Sequence, residues 1–157
     1  MDINLLHARF FREYSLKSRI ERSILSLLIL CIGGFIYMGL RDKSLLMFEW
    51  FNHLGLSQHV EFIRGLFNSE GVYGWVKYSL PDGLWLFSYM FLVDAIWNSS
   101  KSISAYIFIY YLPFLTLMSE ILQYFGLVPG VFDWIDIASY LFAILSYNII
   151  KLIGCSV

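Results

Sequence analysis

Four long apolar stretches, separated by shorter charged segments, constrain what this chain can fold into more than any other feature. They cover about residues 23–40, 80–97, 103–125 and 132–153. A helix needs roughly 20 apolar residues to cross the hydrocarbon core of a bilayer. Backbone polar groups in lipid must be satisfied within the segment, so each stretch is predicted to be helical. We therefore expect an all-α polytopic membrane protein, a single domain over residues 1–157 with four transmembrane helices.

The composition supports this class and excludes others. Hydrophobic residues make up 59% of the 157 residues and charged residues 15%, whereas soluble domains carry about 25% charged residues. This fraction of charged residues is too small to cover the surface of an ordinary soluble enzyme. It also excludes a disordered protein. The net charge of −1 gives no general attraction to nucleic acid. The expected environment is a lipid bilayer.

The basic residues that flank the spans predict the orientation. Both termini are predicted to be cytoplasmic, because this arrangement places seven of these residues inside and four outside. The inside set is Arg9, Arg12, Lys17, Arg19, Arg22, Lys101 and Lys151, and the outside set is Arg41, Lys43, Arg64 and Lys77. The loop over 41–79 is then outside. Its apolar residues, spaced among charges, predict one or two amphipathic helices in the membrane interface, or alternatively a lid that grips a substrate.

Five carboxylates fall within or at the ends of the predicted spans: Asp82, Asp94, Glu120, Asp133 and Asp136. A charged group at the bilayer centre costs about 2.5–3.5 kcal/mol on insertion scales, so each requires an explanation. All except Asp94 are expected near the outer face.

Spacing predicts that several of these side chains meet. Glu120 and Gln123 share a helix face, as do Asp133 and Asp136, because residues three apart are neighbours on a helix. The short turn at 127–130 makes their helices antiparallel neighbours, and Asp82 can join from the second span. Such a cluster could act as a proton relay, as a cation site, or as an acid and base on a bound headgroup.

Structural explanations remain open for most of these acids. Ser79 with Asp82 has the spacing of an N-cap and its N3 residue, and Asp133 with Asp136 fits the first turn of a helix. Asp94 lies close to Asn98 and Lys101 at the inner boundary, where it is expected to be paired or solvated. Glu120 lies at no helix start, which makes it the strongest functional candidate.

Other catalytic chemistry is not indicated. The three histidines, His7, His53 and His59, lack metal-ligand spacing, and no glycine-rich phosphate loop is present. We therefore expect no metal, no cofactor and no catalytic residue, and an enzyme is not the favoured class. The pair Gly33-Gly34 is expected to allow the close approach of another helix.

The segment from about residue 80 to residue 150 resembles the VanZ-like membrane proteins. The resemblance rests on Glu120-x-x-Gln123, on the turn Val128-Pro129-Gly130, on Asp133-x-x-Asp136, and on Leu80-Pro81-Asp82. Val131 stands where that family has a turn arginine. Tyr140 and Ala143 stand where it has an asparagine and a glycine.

The resemblance implies a bacterial inner-membrane protein of the cell envelope, in a family whose founding member contributes to resistance against the antibiotic teicoplanin. The expected partner is an envelope lipid or a glycopeptide-type compound, bound by Glu120, Gln123, Asp133, Asp136 and Asp82. Two alternatives stay open: a small proton- or cation-coupled transporter that uses Glu120, and a non-catalytic accessory subunit of a membrane complex. A homo-oligomer or a membrane partner is compatible with each of these functions.

Overall fold

The computed structural model confirms an all-helical fold over the residues that it describes, which are 3–67, 71–98 and 100–154, with side chains from 18 to 153. Those ranges contain six helices and no strand. The helices are α1 (Ile3–Leu40), α2 (Leu46–His53), α3 (Ser57–Gly65), α4 (Gly74–Ile96), α5 (Ile103–Tyr124) and α6 (Trp134–Gly154).

Three helices are long and apolar enough to cross a membrane: α1 over Ser18–Leu40, α5 over Ile103–Tyr124 and α6 over Trp134–Ile153. This indicates a membrane protein. Although α4 has 23 residues, it is less apolar, because its sequence includes Lys77, Asp82 and Asp94 among serines and aromatic residues. Its role in crossing the membrane therefore depends on what surrounds it.

Two helices begin earlier than the sequence analysis places them. The first apolar stretch is the end of a 38-residue helix, because residues 3–22 contain neither glycine nor proline to interrupt it. The second predicted span begins at Gly74 rather than at Leu80, after Tyr73 in an extended conformation. Proline is common in a first helical turn, yet Pro81 lies buried inside α4. The alternative in which Ser79 caps this helix is therefore excluded.

The central helix of the bundle is α4. It packs against α1, α5 and α6, and α6 packs more extensively against α4 than against α5. Within the described residues α1 reaches neither α5 nor α6. The fully buried positions of α4 include Leu86, Ser88 and Met90, so polar and apolar side chains alike are enclosed by the neighbouring helices.

Small residues set the close spacing of these helices. Ser26 of α1 and Ser88 of α4 are both buried and bond each other's backbone carbonyl. A Cβ atom on Gly33 would lie 2.7 Å from Cδ1 of Trp85, whereas one on Gly34 would meet nothing within 4 Å. The close approach expected at the Gly33-Gly34 pair thus takes place at Gly33 alone. Such small-residue contacts are typical of helix packing in membranes.

The segment between α1 and α4 contains two short helices, and α3 packs on the end of α1. The guanidinium of Arg64 donates to the carbonyl of Met38 at 2.9 Å and to that of Arg41 at 2.7 Å. The last carbonyls of a helix lack partners within the helix and carry partial negative charge. Arg64 therefore fixes α3 against the C-terminal end of α1.

Candidate functional site

A polar groove of about 400 Å³ lies between α4, α5 and α6. Four of the five residues proposed from the sequence line it: Asp82, Glu120, Gln123 and Asp136. Its other lining residues are Leu115, Thr116, Ser119, Val131 and Tyr140. We call this site the acidic groove. Three carboxylates from three helices thus face a common space, which attracts ligands that carry hydrogen-bond donors or positive charge.

Glu120 contributes a buried carboxylate from the last two turns of α5. The residue is only 5% exposed, and the backbone N–H of Asp133 donates to its Oε2 at 3.4 Å. That distance is long for a hydrogen bond to a charged acceptor. Because burial of a carboxylate is costly without strong donors, Glu120 is suited to accept a further donor from a ligand or a proton.

Gln123 lies one turn beyond Glu120 and reaches the turn between α5 and α6. Its Nε2 donates to Oγ of Ser119 at 3.4 Å. The side chain also lies against Gly130, where a Cβ atom would come within 2.6 Å of the Gln123 Cδ. Gly130 has a φ of 144°, a conformation that only glycine adopts readily. The turn therefore brings the loop backbone directly over the glutamine.

Asp133 is the one proposed site residue that does not line the groove. Its Oδ1 accepts a hydrogen bond from the N–H of Ile135 at 2.8 Å, which is the geometry of an N-cap for α6. The side chain is thus engaged by the helix start, and Asp133 contributes to the site through its backbone N–H.

Asp136 lies in the first turn of α6. A negative charge there is favoured by the helix dipole, but its Oδ1 is buried and lacks a hydrogen-bond partner. A buried acceptor without a partner is destabilising by about 1–3 kcal/mol. The dipole therefore explains the position of the charge but leaves one oxygen available to a donor in the groove.

Asp82 is the ninth residue of α4, too far from the helix start for capping or for the dipole to account for it. Its partner is Arg41, whose Nη2 lies 3.7 Å from Oδ2 of Asp82. The Arg41 guanidinium lies between two rings, 5.0 Å from the centroid of Tyr37 and 4.9 Å from that of Tyr78. Its Nε is buried without a partner.

Arg41 was not predicted as a site residue, because its place in the sequence assigned it to the outer loop. Its position in the sequence was the available signal. Arg41 directly follows the first apolar stretch, which places it at the same end of the predicted bundle as the polar start of the second apolar stretch. At the α5–α6 turn, where the VanZ-like proteins have an arginine, this chain has Val131, which is 87% exposed. The guanidinium near the site is instead that of Arg41, which pairs with Asp82 from just beyond the end of α1.

Asp94 lies at the opposite end of α4 and is 4% exposed. It pairs with Arg22 of α1 at 3.3 Å and with Lys151 of α6 at 2.9 Å, rather than with Lys101, which is exposed. These partners are 72 and 57 residues away in sequence, so spacing along the chain did not indicate them. Asp94 joins three helices and belongs to no part of the acidic groove.

Among the described residues, no three His, Cys, Asp or Glu side chains stand close enough together to hold a metal ion. Comparison of the chain with protein-family models, with curated proteins and with solved structures gives no match.

Proposed function

We propose that the chain is a VanZ-like inner-membrane protein of the bacterial cell envelope with four transmembrane helices. In this proposal α4 crosses the membrane in addition to α1, α5 and α6. The central position of α4 supports this, because its polar side chains are enclosed rather than exposed to lipid. Ser79, Ser88 and Asp94 are all buried, and polar groups that are satisfied by neighbouring helices avoid most of the cost of entering a bilayer.

The orientation with both termini in the cytoplasm is supported by the charges at the two ends of the bundle. Among the described residues, the Asp94 end has seven basic positions and three acidic ones, Glu13, Glu21 and Asp94. The opposite end has four basic residues and seven acidic ones, Asp42, Glu49, Glu61, Asp82, Glu120, Asp133 and Asp136. An excess of Lys and Arg favours the cytoplasmic side, so the acidic groove opens to the extracytoplasmic face.

The short helices α2 and α3 lie in the outer membrane interface in this arrangement. Apolar side chains of the two helices and their ends are more than half exposed in the isolated chain: Leu46, Trp50, Leu54, Phe62 and Leu66. Amphipathic helices with this pattern place such side chains among lipid headgroups.

The function is the binding of an envelope lipid headgroup or a glycopeptide-type compound in the acidic groove. One observation carries this proposal: the unpartnered, buried Oδ1 of Asp136 lies in a groove that it shares with Glu120 and Asp82. Ammonium and hydroxyl groups, which both kinds of compound carry, would supply the missing donors. Binding would thereby offset the cost of the buried acceptor.

The experiment compares Glu120→Gln and Asp136→Asn with Asp133→Asn in a strain that lacks the gene. We expect the first two to lose complementation of the envelope phenotype, including tolerance to teicoplanin, while Asp133→Asn keeps it, because asparagine also caps helices. Full complementation by both groove variants would contradict the proposal. Membrane levels of each variant, measured by immunoblot, separate loss of function from loss of the protein.

The orientation is tested by cysteine labelling. Val131→Cys, in a chain without Cys31 and Cys155, should react with an impermeant thiol reagent added to intact cells with a permeabilised outer membrane. Labelling only after lysis would place the groove in the cytoplasm and would overturn its assignment to an envelope ligand.

A second candidate, proton- or cation-coupled transport, is favoured by the burial of Glu120 with one long hydrogen bond. Transport predicts pH-dependent carbodiimide labelling of Glu120 that substrate prevents. It also predicts ion flux in proteoliposomes that Glu120→Gln abolishes. A lack of flux in well-sealed vesicles would remove this candidate.

A further inference from the structure

A second groove lies on the other side of the α4–α6 contact. Since α1 and α6 both pack against α4 and, within the described residues, do not reach each other, a space of about 290 Å³ stays open between them. We call it the α1–α6 groove. Ile29 forms one wall, Gly83 and Phe87 the floor, and Ser146 and Ile150 part of the other wall.

The surface of the α1–α6 groove is entirely apolar. At the end of the groove nearest Asp82, the hydroxyl of Ser139 donates to the carbonyl of Asp136 within α6. On α6 the lining runs from Ser139 to Ile150, which is about 16 Å at 1.5 Å per residue. The groove therefore suits an extended hydrocarbon over about half the thickness of a bilayer core.

The size of the α1–α6 groove limits which apolar group can occupy it. Its volume is about 290 Å³, whereas a single turn of a helix 10–12 Å in diameter with a pitch of 5.4 Å occupies roughly 400–600 Å³. A helix from a second copy of the chain would have to push α1 and α6 apart. A single acyl chain would fit without such movement.

The charged residues at one end of the α1–α6 groove indicate which kind of lipid headgroup would bind there. Ile150 precedes Lys151, and on α1 Arg22 lies about two turns before Ile29 on the same helix face, with Arg19 about one turn further. Lys151 and Arg22 hold Asp94 between them, while Arg19 donates to the carbonyls of Ala95 and Ile96. These three basic residues outnumber the two acidic ones at this end, Asp94 and Glu21, and the resulting net positive charge suits a phosphate.

We propose that the α1–α6 groove binds one acyl chain of an anionic phospholipid whose phosphate lies at the Arg19 and Arg22 end. This site is distinct from the acidic groove and does not depend on its ligand. A basic residue near an anionic membrane surface contributes about 1 kcal/mol, which makes the headgroup charge measurable as a preference.

Native mass spectrometry of the purified full chain tests the proposal with phosphatidylglycerol and phosphatidylcholine of identical acyl chains. We expect phosphatidylglycerol to bind at least about fivefold more tightly. Ser146→Phe, which fills the groove, should weaken its binding about tenfold. The matched control is Ala138→Phe on the exposed side of α6, which should change binding less than about twofold.

Equal binding of the two lipids would overturn the proposal, as would unchanged phosphatidylglycerol binding to Ser146→Phe. A dimer that Ser146→Phe dissociates would also overturn it, by identifying a second copy as the occupant. Circular dichroism of both variants, together with gel filtration in the same detergent, identifies a variant that fails to fold. In that case Ser146→Leu replaces Ser146→Phe.

Discussion

Ser26 and Ser88 hold α1 and α4 together by a reciprocal pair of hydrogen bonds. Ser26 Oγ donates to the carbonyl of Ser88 at 2.6 Å, and Ser88 Oγ donates to the carbonyl of Ser26 at 2.8 Å. Neither side chain is accessible to solvent. Two helices joined in this way approach closely, because neither contributes a side chain larger than a hydroxymethyl group at the contact.

Replacement of either serine should weaken this contact. Ser88→Ala should lower the free energy of unfolding by about 0.5–1.5 kcal/mol, in the range of hydrogen bonds between membrane helices. The double variant with Ser26→Ala should cost less than the sum of the two changes, since the residues share their bonds. Unfolding in mixed detergent micelles measures both. The control is Ser23→Ala, because Ser23 bonds the carbonyl of Arg19 in its own helix.

Gly33 and Gly34 form a matched pair for the packing of α1. Gly33→Ala should destabilise the protein by about 1–3 kcal/mol, the usual cost of overpacking, because the new methyl group would overlap Trp85. Gly34→Ala meets open space and should be neutral or stabilising by up to about 1 kcal/mol from helix propensity. Thermal unfolding in detergent compares them. Equal effects of the two changes would contradict the packing described for Gly33.

The ion pairs of Asp94 should contribute strongly to stability. Asp94→Asn leaves Arg22 and Lys151 without their counter-charge and should cost about 2–4 kcal/mol, since breaking a buried pair is expensive. The control is Asp42→Asn, which removes an exposed pair with Lys77 and should cost at most about 1 kcal/mol. The free energy of unfolding in micelles measures both changes. A similar cost for both would show that Asp94 is effectively solvated.

Arg41 should join α1 to α4 through charge and ring contacts together. Arg41→Gln should lower stability by about 1–2 kcal/mol, because it removes the partner of Asp82 and two cation–π contacts. Arg41→Lys should recover only part of this loss, since an ammonium lacks the planar guanidinium. Lys43→Gln is the control, because Lys43 pairs with Glu61 where both side chains are 58% exposed. Full recovery by lysine would assign the effect to charge alone.

Much of the fold could be predicted from the sequence, because apolar length determines where long helices form in a chain of this kind. The ends of α5 and α6 lie within two residues of the predicted spans. The starts of α1 and α4 could not be placed from apolarity, because helical structure continues through polar residues until a breaker occurs. Pro81 was a misleading marker, since a proline inside a helix is tolerated when neighbouring helices enclose it.

The candidate site could be predicted only in part. Helical spacing placed Glu120 and Gln123 on one face, and the short turn brought the start of α6 beside them. Residue spacing within one helix, however, does not show how that helix is rotated about its axis relative to a helix that is distant in sequence. For that reason the different roles of Asp133 and Asp136, and the pairing of Arg41 with Asp82, emerged only from the packed structure.

The central position of α4 has a consequence for how the protein is made. On its own, a segment with Lys77, Asp82 and Asp94 partitions poorly from the translocation channel into lipid, because each charge opposes that transfer. If α4 crosses the membrane as proposed, its charges and serines become compatible with the bilayer only beside α1, α5 and α6. In the proposed four-helix topology, insertion of α4 therefore depends on assembly of the bundle, and substitutions on α1 that weaken the α1–α4 contact should lower the amount of inserted protein.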